Sequence, residues 1–99
     1  MARTTRLVRL GRSDPKNRWQ AIAGNLVALG DSADEAVALL AVVGYEQALT
    51  EGLELDHAHD LGWALVEPLV ADYRDWLEGD GELASDLYHR RLAELGFAG

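Results

Sequence analysis

The chain has 99 residues, 48% hydrophobic and 26% charged, with no cysteine and a net charge of −8. This is enough for one small domain with a core. The absence of cysteine excludes a disulfide scaffold and thiolate chemistry. The longest apolar run, residues 36–43, is far below the ~20 residues of a membrane-spanning helix. The first thirteen residues lack an apolar stretch of signal-peptide length, so a cytoplasmic protein without membrane contact is expected.

The charge is divided along the chain. Residues 1–18 carry six cations against Asp14, a net of +5, whereas residues 19–99 carry three cations against sixteen carboxylates, a net of −13. The expected organisation is a basic N-terminal arm over 1–13 and an acidic helical-bundle domain over 14–99. In the arm, Arg3, Arg6, Arg9 and Arg12 recur every third residue. That period fits neither strand alternation nor a fixed helical stripe, and predicts an arm that is extended or ordered by contact.

Asp14-Pro15 reads as the start of a helix, with Asp14 as N-cap and Pro15 in the first turn. Trp19, Ile22, Leu26 and Leu29 continue it at helical spacing up to Gly30. Lys16 and Arg18 fall in that first turn, where the helix dipole disfavours cations. Ser32 and Glu35 have the spacing of a capping box, and Gly52 stands where a left-handed C-terminal cap belongs. Between them runs the most apolar stretch of the chain, predicting a helix surrounded by its neighbours. The 28–40 segment superficially resembles a helix-turn-helix, but its second helix would offer carboxylates and aliphatics to phosphate, which rules that reading out.

A third helix is expected from about 56 to 78, kinked or broken at Pro68, where a backbone donor is lost and the Ala64 carbonyl is crowded. Gly79-Asp80-Gly81 reads as a turn, and a last helix spans 82–95. The predicted fold is all-α: a compact four-helix bundle with a basic arm.

Two stretches carry candidate chemistry. Asp56-His57-Ala58-His59-Asp60 offers imidazoles and carboxylates of the types that ligate zinc, manganese or iron, with His57, His59, Asp56 and Asp60 as the candidate ligands. Residues two apart diverge on a helix, which weighs against a shared site and favours an ordinary capped first turn. The second stretch is the basic one, with Arg3, Arg6, Arg9, Arg12, Lys16 and Arg18 as candidate partner-binding residues. They could meet phosphates, or carboxylates of a protein partner. Nucleophile elbows, P-loops and dinucleotide fingerprints are absent from the sequence. The leading expectation is a non-enzymatic interaction module, a regulator, adaptor or inhibitor that binds a protein partner or itself and needs no cofactor. The alternative is a nucleic-acid-binding protein using the arginine arm. The third is a metal-dependent enzyme or metal-binding bundle using the His57/His59 cluster.

Overall fold

The structure, a computed structural model, describes residues 5–96. It is an α+β fold in which a three-stranded antiparallel meander precedes three helices. Strands β1 (Thr5–Arg9), β2 (Trp19–Ala23) and β3 (Leu26–Gly30) lie in chain order across the sheet. Helices α1 (Ala33–Thr50), α2 (Leu55–Asp72) and α3 (Glu82–Glu94) follow. Among the described residues, no helix is long and apolar enough to cross a membrane.

The four-helix bundle is therefore corrected to three helices and a sheet. The error lies in residues 14–30, read as a helix and observed as a loop and a hairpin. The dipeptide Gly24-Asn25 joins two five-residue strands, with Ala23 opposite Leu26, and Gly24 has φ +62°. A positive φ at the first loop position is the II′ geometry that matches strand twist. Residues 19–30 contain only Gln20 and Asn25 as polar side chains and no charge at all. A surface helix needs a polar face; a strand pair can leave this composition in two flat layers. The described part of the arginine arm, residues 5–13, begins with β1, paired with β2 from Thr5↔Ala23 to Arg9↔Trp19, and goes on into the loop that holds Arg12.

Asp14 does cap, but it caps a turn. Its carboxylate accepts from the Arg18 backbone N–H at 2.7 Å, from Nε at 2.9 Å and from a terminal guanidinium nitrogen at 3.1 Å. This closes the β1–β2 connection, where a short 3-10 segment, Gly11–Ser13, precedes it.

The expected central helix is observed. α1 lies beneath β2 and β3 and packs against α2 and α3. Val37, Leu40 and Ala41 are fully buried in it; burying a Val or Leu side chain stabilises by roughly 1.5–3 kcal/mol. Ser32 accepts from the Glu35 N–H at 3.1 Å, as a capping residue should. The Glu35 carboxylate reaches one residue further back than a capping box prescribes and accepts from the Asp31 N–H at 2.9 Å. At the other end, the N–H groups of Gly52 and Leu53 donate to the Leu49 and Ala48 carbonyls, the paired bonds of a Schellman cap.

The chain does not break at Pro68. α2 continues through it to Asp72, and regular helix ends at Tyr73 (φ −117°, ψ 28°). Pro68 and Ala64 both lie on the exposed side, so the carbonyl freed by the proline faces water, where it costs little. A 3-10 turn, Arg74–Trp76, follows. The loop to α3 is fixed by Asp34, whose carboxylate in the first turn of α1 accepts from the Glu78 N–H at 3.1 Å. α1 and α2 touch where Gly62 meets the Ala41 carbonyl. A methyl group on Gly62 would lie 2.6 Å from that oxygen and 2.5 Å from the Tyr88 hydroxyl.

Candidate interaction surfaces

Strand alternation sorts the sheet into two unlike faces. Register places Leu7, Ala21 and Ala28 in one row on the inner side, with Ala23 and Gly30 beside them; all five are buried against α1. Small side chains let the helix lie close. Leu26 shares this side with Leu7, and four other aliphatic residues point the other way. Arg6, Ile22 and Val27 form one outer row, and Val8, Gln20 and Leu29 the next. Val27 remains 45% exposed and Leu29 37% exposed, while Val8 and Ile22 are half-buried. Among the described residues, the outer face is thus an aliphatic layer with one cation, Arg6, and no carboxylate.

A second surface lies at the end of the sheet. The Arg9 guanidinium sits 5.8 Å from the Trp19 ring centre, within cation–π range. Trp19 meets Trp76 edge-on at 5.6 Å, and Trp76 meets Tyr73 at 4.9 Å. Trp76 is 52% exposed. Beside them a shallow cleft of about 470 Å³ is lined by Arg9, Gly11, Arg12, Asp14, Pro15 and Asn17. Asp14 is ionised there: hydrogen bonds from Arg18 hold its carboxyl down to about 2, and both oxygens are turned to that one partner, whose positive charge offsets theirs.

Of the residues singled out in the sequence, Arg6 therefore belongs to the outer face. Arg9 and Arg12 belong to the cleft, and Lys16 is exposed in the same loop. Arg18 is committed to Asp14. Arg3 lies outside the described residues.

The histidine stretch opens α2. His57 is exposed, whereas His59 is half-buried. His59 stacks on Tyr88 at 5.4 Å and lies 4.9 Å from the His89 ring. Its Nδ1 is 3.2 Å from an Asp60 oxygen. His89 Nδ1 lies 2.7 Å from the Ser85 carbonyl; a carbonyl only accepts, so that nitrogen carries the proton. The Tyr88 hydroxyl donates to the His59 carbonyl at 2.7 Å, and burial pushes its ionisation up. Among the described residues, no group of three or more His, Asp or Glu side chains is arranged to hold a metal ion. The geometry of Asp56, His57, His59 and Asp60 is that of a helix start with His59 packed on the α3 tyrosine.

A shallow groove of about 400 Å³ between α1 and α3 is lined by Glu35, Leu39, Leu87, Arg90, Arg91 and Glu94; its charges are mixed and Arg91 pairs with Glu94 at 3.0 Å. Comparison with protein-family models, curated proteins and solved structures found no match. The sequence does not mark Val8, Ile22, Val27 and Leu29 as a surface, because Ile22 and Leu29 also fit the apolar spacing of a helix. The Gly24-Asn25 dipeptide between two apolar runs was the available signal.

Proposed function

We propose that this chain is a non-enzymatic interaction module that binds protein through the outer face of its sheet. The observation that carries the reading is the aliphatic layer left on the outer side of the sheet. Leu7, Ala21, Ala23 and Ala28 pack into the core, while Val8, Ile22, Val27 and Leu29 face outward. A contiguous outward aliphatic layer has a hydration cost that a covering partner removes. The twelve uncharged residues of the hairpin leave Arg6 as the one charge among the described residues that a surface covering this face must desolvate.

The test is co-purification after gentle cross-linking in the source cells, comparing the natural chain with a Val27→Lys, Leu29→Lys double variant. Circular dichroism checks that the variant is folded. The expected result is that the natural chain retains a bound protein, another polypeptide or a second copy, and the variant does not. An unchanged set of bound proteins would sink the reading.

A second reading is favoured by the Arg9–Trp19–Trp76 arrangement. Cations beside an exposed ring suit a single-stranded nucleic acid, whose phosphates and bases they would meet separately.

A further inference from the structure

We infer that the occupant of the outer sheet face is a second copy of this chain, giving a two-fold sandwich of sheets. The inference rests on the interaction reading above and adds the identity of the partner.

Charge selects this face for self-association. Each chain carries −8, so two copies repel wherever carboxylates meet. On the outer face the one charged side chain among the described residues is Arg6. The acidic surplus lies in the helices that follow the sheet.

The face is also self-complementary. Sheets in a sandwich lie ~10 Å apart with strands within about 30° of alignment. A two-fold axis along β2 keeps each residue level with its own copy and places β1 over the partner's β3. Ile22 then meets the same residue of the second copy, and the Gln20 amides can pair with each other. Val8 lies over the β3 position of Leu29, and Arg6 over that of Val27. The two Arg6 side chains stand on opposite flanks, each facing an uncharged strand, so like charges are not juxtaposed. Joining the β3 edges instead would leave both aliphatic faces in water, side by side.

The available area sets the strength. Three strands of five residues make a face of about 14 by 17 Å. This is small beside the ~800 Å² per partner of a standard interface, so the pair is reversible and forms with rising concentration.

Sedimentation equilibrium of the full chain tests this. The mass should rise from 10.8 kDa to twice that value with concentration. Added salt should tighten the pair, because it screens repulsion between like-charged chains. Leu29→Lys should stay at the single-chain mass with an unchanged far-ultraviolet spectrum; Val27→Lys replaces it if that variant does not fold. The chain has no cysteine, so Ile22→Cys should give an intermolecular disulfide on mild oxidation while Ala28→Cys, central in β3, should not. A single-chain mass at millimolar concentration, a Leu29→Lys dimer, or cross-linking at position 28 in place of 22 each overturns the inference. A chain that stays single, yet loses a co-purifying protein on the lysine substitutions, overturns the second-copy occupant and leaves the interaction reading standing. A chain that stays single and loses nothing overturns both.

Discussion

A carboxylate that accepts three hydrogen bonds from one arginine residue resists protonation, because all three weaken when the charge goes. Asp14 is in that position with Arg18, and its carboxyl is lowered from 3.8 to about 2. A depressed folded-state value contributes stability that is fully present above the unfolded value and is lost as pH falls through the folded one. Asp14→Asn should therefore lower the melting temperature at pH 7, and the gap to the natural chain should narrow between pH 4 and pH 2. A gap that stays constant across that window would show that Arg18 does not hold the ionised form. Asp34 has the opposite sign: burial raises its carboxyl against the Glu78 N–H that lowers it. Its ionised form therefore costs stability as pH rises above the ordinary carboxylate range.

At the scale of elements, the two long helices cross where neither has a side chain to spare. Gly62 faces the Ala41 carbonyl, and Gly44 has the Leu65 side chain against it. A methyl group at 62 meets backbone oxygen, which cannot swing aside, so α2 must shift. Overpacking of this kind costs typically 1–3 kcal/mol. Gly62→Ala should lose about that much in urea unfolding at unchanged m-value, despite the ~1 kcal/mol that alanine gains over glycine in helix propensity. A neutral or stabilising outcome would mean that the helices are not in contact there.

The same crossing shows what the sequence disclosed. The caps at Ser32 and Gly52, the apolar helix between them and the turn at 79–81 were legible, because local chemistry decides each of them. The sheet was not. Trp19, Ile22, Leu26 and Leu29 satisfy a helical period as well as they satisfy two strands, and Asp14-Pro15 caps a turn as readily as a helix. Pairing between β1 and β2 decides the matter, and pairing is tertiary. The candidate surface failed with the sheet: which of Ala21 or Ile22 faces outward follows from register, which a single helical projection does not contain.

At the scale of the whole molecule, positive and negative charge are segregated in sequence, and they meet in space where Asp14 and Asp31 act on Arg18. Arg6, Arg9, Arg12 and Lys16 lie on the sheet and its first loop, while the −13 of residues 19–99 is carried after the uncharged hairpin. This division limits what the basic end can bind. Phosphates that reach it feel repulsion from the acidic helices, which at ~0.1 M salt falls off over about 10 Å, so contact must be local and short. Arg18 is already paired, leaving four described cations for phosphate. Counterion release from single strands scales as ~0.7 per neutralised phosphate. A short oligothymidine should accordingly bind weakly, with a log–log salt slope no steeper than about −3. It should quench tryptophan fluorescence, because Trp76 is the exposed ring. Arg12→Glu should abolish binding, since it reverses a charge in the cleft without touching the core. Salt-independent quenching, or equal binding by Arg12→Glu, would show that the cleft does not hold phosphate. The basic end would then act on the acidic surface of a protein, where the same cations pair with carboxylates.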